Sequence, residues 1–265
     1  MSYQESIHDL AKELPINNGS FLITGATGLI GSCIIDTLLY ANVKGANFKI
    51  YAMSRSRKKV MEKFGDKVIP VIQDVAQPLG ILSKYDYIIH CASNAYPESK
   101  RSCELLLRSY VDEYNINAVI CRLPSVYGPT MLKSDSKAHG QFIKNALNKE
   151  NIVLKSKGEQ RRTYSYVVDV VSGIFKVLFN GLNGEVYNIA NENSIASIAE
   201  VASICAEIAG TNVVFDLPDK IEKKGFSQSK DCILDNSKLK SLGWNGKYTL
   251  KQGLVETIES LREDE

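Results

Sequence analysis

No run of apolar residues in this sequence is long enough to cross a bilayer. Residues Met1–Leu14, with Glu5, Asp9, Lys12 and Glu13, also lack the basic start and apolar stretch of a secretory leader. A surplus of charge is missing too: 32 basic against 30 acidic side chains leave a formal charge of +2, which removes any reason to expect a nucleic-acid partner. The six cysteines (Cys33, Cys91, Cys103, Cys121, Cys205, Cys232) include no C-x-x-C pair, and no histidine is spaced to complete a metal site. A metal is therefore not expected, and the thiols read as reduced and the protein as cytoplasmic, with no membrane partner. Internal repeats and low-complexity linkers are absent. What is present, 44% hydrophobic and 23% charged residues over 265 positions, suffices for one large domain or two small ones.

Phe21-Leu22-Ile23 is a short apolar run after the turn signal Asn18-Gly19, and Ile30 to Leu39 then carries apolar residues at helical spacing. Phe48 to Met53 reads as a second strand, Lys58 to Phe64 as a short helix, Val68 to Ile72 as a third strand and Tyr87 to Ala92 as a fourth. Pro97 opens a long helical pattern through Cys103, Leu106, Leu107, Tyr110 and Val111, followed by an apolar strand at Ala118 to Leu123. This alternation predicts an α/β fold with a doubly wound parallel sheet. Beyond Gly128-Pro129 the texture changes. A Lys-, Ser- and Asp-rich loop leads to a helix at His139 to Leu147, and later helices are expected at Val168 to Phe179, Ile198 to Ile208 and Leu250 to Leu261, with a strand at Glu185 to Ile189. The chain is accordingly read as an α/β core over 1–130 and 166–190 and a smaller lobe over 131–165 and 191–265.

The segment Thr24-Gly25-Ala26-Thr27-Gly28-Leu29-Ile30-Gly31 sits where the first strand turns into the first long helix. A pyrophosphate needs backbone N–H groups pointed at it and no side chains in the way, and Gly25, Gly28 and Gly31 supply that at a helix start. The G-x-x-G-x-x-G spacing resembles the extended, sugar-nucleotide branch of the short-chain dehydrogenase/reductase superfamily, the NAD-dependent epimerase/dehydratase family. That resemblance implies a Rossmann sheet and a bound NAD or NADP held by Gly25, Thr27, Gly28, Leu29, Ile30 and Gly31. The tip of the second strand, Met53-Ser54-Arg55, has no acid for an adenosine ribose. Arg55 points to a 2′-phosphate, or is one more solvated charge in Arg55-Ser56-Arg57-Lys58-Lys59, and both readings stand. Asp74-Val75 resembles the adenine contact, and Cys91-Ala92-Ser93 the stretch beside the nicotinamide ribose. His90 reads as a packed strand residue.

A phenol with an ordinary pKa of about 10 becomes a useful base near neutral pH only when a cation stabilises its anion. Tyr96-Pro97-Glu98-Ser99-Lys100 places a lysine one helical turn after a tyrosine. The chain has 13 tyrosines, and Tyr40-Ala41-Asn42-Val43-Lys44 shows the same spacing at the end of the first helix, away from the carboxyl edge of the sheet. Tyr96 begins a helix just after a strand's carboxyl end, and the continuation to Glu104 resembles the family's catalytic helix. The resemblance therefore makes Tyr96 and Lys100 the catalytic pair, with both also touching the cofactor.

Arg122-Leu123-Pro124-Ser125-Val126-Tyr127-Gly128-Pro129 resembles the family's approach to its substrate, with Ser125 where Asn is common. Gly158 through Asp169 resembles the segment whose arginine, here Arg162, binds a substrate diphosphate, a good match for a guanidinium fork. The Leu234-Asp235-Asn236 region also matches but is preceded by no arginine, and Lys230 is the nearest cation. These likenesses imply a nucleoside-diphosphate sugar as partner, a homodimer, and isomerase or lyase chemistry that opens by oxidation at the sugar C4. One interval departs from the pattern. Only Ser93-Asn94-Ala95 separate the fourth strand from Tyr96, where the family holds a helix and a strand ending in a catalytic Ser/Thr, on the order of fifty residues more. A deletion, a splice or assembly error, and an adaptive shortening all account for it, and a dinucleotide-binding remnant or scaffold without turnover is the alternative function.

Overall fold

The computed structural model describes residues 2–77, 85–91, 97–217 and 231–263. The chain divides into two compact units, Gln4–Ala118 and Val119–Glu265, the latter joined by Met1–Tyr3.

The first unit follows the order α1 (Tyr3–Lys12), β1 (Asn18–Thr24), α2 (Leu29–Val43), β2 (Asn47–Ser54), α3 (Arg57–Phe64), β3 (Ile69–Ile72), β4 (Tyr87–His90) and α4 (Pro97–Tyr114). Its strands form one parallel sheet in the order β3-β2-β1-β4. Phe21, Leu22 and Ile23 of β1 are all fully buried, the continuous apolar run that a parallel strand covered on both faces requires. Phe21 stacks on Tyr87 with ring centroids 4.7 Å apart and meets Phe48 edge-on at 5.4 Å, so one β1 side chain ties both neighbouring strands. The Asp86 carboxylate accepts from the Ser20 N–H and hydroxyl, each at 2.8 Å, and fixes where β4 enters. The buried Cys33, Ile34, Ile35, Thr37 and Leu38 make α2 a core helix. α3 is capped by Ser56, whose hydroxyl accepts from the Lys59 N–H.

The second unit contains β5 (Ile120–Arg122), β6 (Ser125–Tyr127), α5 (Ala138–Leu147), β7 (Ile152–Leu154), β8 (Arg161–Tyr166), α6 (Val167–Asn180), β9 (Val186–Asn188), β10 (Ile195–Ser197), α7 (Ile198–Ala209), β11 (Val213–Phe215), β12 (Asp231–Cys232), α8 (Ser237–Lys240) and α9 (Leu250–Glu263). β8 is its hub, paired with β6, β10 and β12, while β5 pairs with β9 and β7 with β11. A capping box at Ser197 and Glu200 starts α7. The buried Asp169 at the start of α6 accepts from the Lys247 and Tyr248 N–H groups and from the Asn191 amide, and this knot joins three separate stretches of chain. Burial raises the Asp169 pKa against those three bonds, which lower it.

Each expected helix and strand falls at the stated place within one to a few residues, the usual looseness of element ends. Met1–Leu14, read only as an amphipathic polar stretch, contains the helix α1. The expected strand at Ala118 to Leu123 is β5, and among the described residues it pairs with β9 rather than with β4.

Candidate functional site

At Gly25 φ is +63°, a left-handed conformation that glycine adopts freely and that turns the chain sharply off β1. The Gly28 N–H donates to the Gly25 carbonyl at 2.9 Å, and the Ser32 hydroxyl to the Ala26 carbonyl at 3.1 Å, so the loop is held at two points. A Cβ on Gly31 would stand 2.4 Å from the Gly25 carbonyl oxygen, so α2 starts this close to the turn only because position 31 has no side chain. Gly28 occupies the N-cap of α2 and gives no side-chain acceptor. A fifteen-residue helix thus opens on a residue with no side chain to cap it or to stand in the way, a geometry that suits an anion at a helix start.

The tips of the neighbouring strands gather at the same carboxyl edge of the sheet. The Ala26 N–H donates to the Met53 carbonyl at 3.2 Å, which bonds the glycine turn to the end of β2, where Ser54 is half-buried and Arg55 exposed. The Gln73 N–H donates to the Ser54 carbonyl at 3.2 Å, and so brings the exposed Asp74 and Val75 beside that tip. Asp74 Oδ1 accepts from the Ala76 N–H at 3.0 Å. Cys91 directly follows β4 and donates its N–H to the Thr24 carbonyl at 3.3 Å. Burial pushes the Cys91 thiol up to about 12, while the Lys100 ammonium pulls it down, so Lys100, in the first turns of α4, acts electrostatically on the end of β4. His90 is corrected: it is exposed, and its Nδ1 lies 3.0 Å from Thr24 Oγ1 instead of packing into the core.

Of the residues the sequence singled out, Gly25, Thr27, Gly28, Leu29, Ile30, Gly31, Ser54, Arg55, Asp74, Val75, Cys91 and Lys100 all belong to this one unit, along the glycine turn, at or just beyond the ends of β2, β3 and β4, or on α4. Ala92, Ser93, Tyr96 and Lys230 lie outside the described residues. The competing pair Tyr40 and Lys44 is a structural contact, with the lysine Nζ 5.5 Å from the ring centroid at the far end of α2.

In the other unit, Ser125 and Tyr164 are register partners across the parallel β6–β8 pair, and Arg162 stands two residues before Tyr164. Register partners and alternate residues share a face of a sheet, so these three side chains rise from one face. His139 joins them: its ring meets Tyr164 edge-on with centroids 5.9 Å apart, and its Nε2 lies 3.2 Å from the Val126 carbonyl. Burial lowers the His139 pKa, with the Lys137 charge and, least, the Arg162 charge adding to it and Asp135 and the Val126 carbonyl opposing, whereas burial raises the Tyr164 pKa and Arg162 opposes that. Sequence reasoning singled out neither His139 nor Tyr164. The signal available was slight, a helix opening on one of only three histidines.

Residues 92–190 match the NAD dependent epimerase/dehydratase family. Human dTDP-D-glucose 4,6-dehydratase is 28% identical over 174 residues, covering 65% of this chain and 49% of that protein. UDP-glucuronic acid decarboxylase 4 of Arabidopsis thaliana is 26% identical over 242 residues, covering 89% of this chain and 49% of that protein. The chain thus spans about half the length of these two curated relatives. The structure of UDP-glucose 4-epimerase from Thermotoga maritima, solved with UDP-glucose, superposes with a TM-score of 0.79 at 21% identity over 92% of this chain and 99% of that one, a likeness of fold.

Proposed function

We propose, from the match of residues 92–190 to the NAD dependent epimerase/dehydratase family, that this protein holds NAD or NADP at the glycine turn and modifies a nucleoside-diphosphate sugar through transient oxidation at C4. The observation that carries this reading is the glycine turn that leads into α2 with Gly28 at the N-cap, bonded through Ala26 to the tip of β2. An anionic pyrophosphate completes the helix start, and the space that a Cβ on Gly31 would fill belongs to the turn's own carbonyl. Ser54 and Arg55 then meet the adenosine ribose, Asp74 and Val75 the adenine, and Cys91, Ala92 and Ser93 the nicotinamide side.

A nicotinamide held by these residues would supply the hydride acceptor for that oxidation. Tyr96 as phenolate takes the proton of the C4 hydroxyl, and Lys100, one helical turn on, keeps that phenol ionised and holds the nicotinamide ribose. Arg162 pairs with the substrate diphosphate, Ser125 donates to the substrate from the same face of β8 and β6, and Lys230 is the second cation. Whether dehydration, epimerisation or decarboxylation follows C4 oxidation depends on residues that this chain has few positions to hold, between His90 and Tyr96. That short interval favours a second reading, a dinucleotide-binding scaffold without turnover.

Two accompanying assignments belong to the same reading. All six cysteines are free, the usage of a reducing compartment, and we place the protein in the cytoplasm. A homodimer is supported by α4, where Leu106, Tyr110 and Tyr114 follow at helical spacing with 58%, 48% and 60% of their surfaces exposed.

The test is acid release and identification of bound nucleotide from the purified protein, followed by assay against UDP-glucuronate, UDP-glucose and dTDP-glucose for a 4-keto or converted sugar. Conversion of one of them is the expected result. Recovery of a nicotinamide nucleotide with no conversion of any sugar selects the scaffold, and failure to bind any nicotinamide nucleotide removes both readings.

A further inference from the structure

We propose that the dinucleotide bound here is the 2′-phosphorylated one, NADP(H), and that Arg55 with Ser54 forms the site for its 2′-phosphate. This rests on the dinucleotide reading above and narrows it against the family's stated NAD dependence.

The position is fixed by two backbone bonds. The Ala26 amide donates to the Met53 carbonyl and the Gln73 amide to the Ser54 carbonyl, each at 3.2 Å, so Ser54 is held between the glycine turn and the loop after β3. In a Rossmann sheet the adenosine ribose lies over this strand tip, and an acid there accepts from both ribose hydroxyls. No acid is present: residues 54–59 read Ser-Arg-Ser-Arg-Lys-Lys. The next carboxylate along the chain, Glu62, faces Lys58 at 3.7 Å on α3. Asp74, across the tip, turns one carboxylate oxygen back to the Ala76 N–H. A ribose 2′-hydroxyl would therefore find cations where it needs an acceptor.

A phosphate finds what it needs. Arg55 is exposed, and among the described residues its guanidinium takes part in no ion pair and no hydrogen bond, so its full fork of donors is open to a phosphate dianion. Ser54 Oγ accepts weakly from the Ser56 N–H at 3.4 Å, which leaves its own hydroxyl proton to donate. Ser56 is not part of the site, because its hydroxyl is committed to capping α3 at the Lys59 N–H. Arg57 and Lys59, both exposed, add a positive field at longer range.

The experiment measures dissociation constants of NADPH and NADH for the nucleotide-free full chain by fluorescence titration, with 2′,5′-ADP and AMP as competitors. The expected result is NADPH tighter than NADH by about tenfold or more, the value of a hydrogen-bonded charge contact, with a preference that shrinks as salt rises. Arg55→Ala weakens NADPH to about the level of NADH and costs NADH several-fold less than it costs NADPH. Arg55→Glu reverses the preference, and neither changes the melting temperature of the apo protein, because the side chain is exposed. NADH bound as tightly as NADPH, or a preference that survives Arg55→Ala, overturns the proposal while the dinucleotide site stands. A folded chain that binds neither nucleotide overturns the dinucleotide site and this proposal together.

Discussion

The Ala26 amide and the Met53 carbonyl, 3.2 Å apart, bond the turn after β1 to the end of β2. Through that contact the place where a phosphate can sit and the place where a ribose can sit become one rigid edge. Both strands are buried parallel strands whose register is fixed from Asn18 opposite Asn47 to Thr24 opposite Met53, so neither can slide without exposing Phe21 or Ile50.

Gly31→Ala tests the close approach at that edge. Its Cβ would meet the Gly25 carbonyl at 2.4 Å, with backbone on the other side, so the helix start must move. We expect a destabilisation of about 1–3 kcal/mol and loss of nicotinamide nucleotide binding at concentrations that saturate the parent. Thermal denaturation and nucleotide titration measure the two separately. Parent-like binding would show that the turn is not the phosphate site.

Tyr96→Phe removes the proposed proton acceptor and is expected to lower kcat by about 10²–10⁴-fold, with bound nucleotide retained. Lys100→Met acts on the phenol indirectly. Lys100 is exposed on α4, so the melting temperature should hold while the pH at which activity rises moves upward. A pH–rate profile reads this shift. An unchanged profile would leave Lys100 without its role.

Arg162→Ala should raise KM for a nucleoside-diphosphate sugar by roughly tenfold to a hundredfold, and leave nicotinamide nucleotide binding untouched. Arg162→Lys should recover part of the loss, since an ammonium keeps the charge but not the fork. Equal affinity of parent and Arg162→Ala for UDP would count against the assignment.

His139 gives the fold a pH dependence of known sign. Its folded pKa lies below the ordinary 6.5, chiefly because it is buried. Between that lowered value and 6.5 the unfolded chain carries a proton that the folded chain does not. The contribution is therefore fully present above 6.5 and is lost as pH falls from 6.5 through the folded value. Urea denaturation midpoints of the parent should fall over this window more steeply than those of His139→Gln. Parallel curves would exclude His139 as the source.

Much of the first unit was legible because its signals are local. The glycine spacing, the apolar run Phe21-Leu22-Ile23 and the helix after it lie within one short stretch, and backbone sterics decide them without help from the rest of the chain. The reading of His90 failed for the opposite reason. Whether a strand residue is packed depends on which strand lies beside it, and β4 pairs only with β1 among the described residues. The cluster of Ser125, His139, Arg162 and Tyr164 was half legible: Ser125 and Arg162 came from motif likeness, but the register of β6 on β8 that brings them to one face is a pairing across 39 positions of chain.

The sequence by itself determined the parallel α/β pattern, the glycine turn and the Tyr96–Lys100 spacing, because helix and strand periods and the steric needs of glycine act over neighbouring residues. Tertiary structure decided what those residues meet. It bonded the turn to the tip of β2, left Arg55 beside that tip without a partner among the described residues, and set His139 and Tyr164 against Arg162. Contacts of this kind are long-range, and only the packed chain brings their partners together.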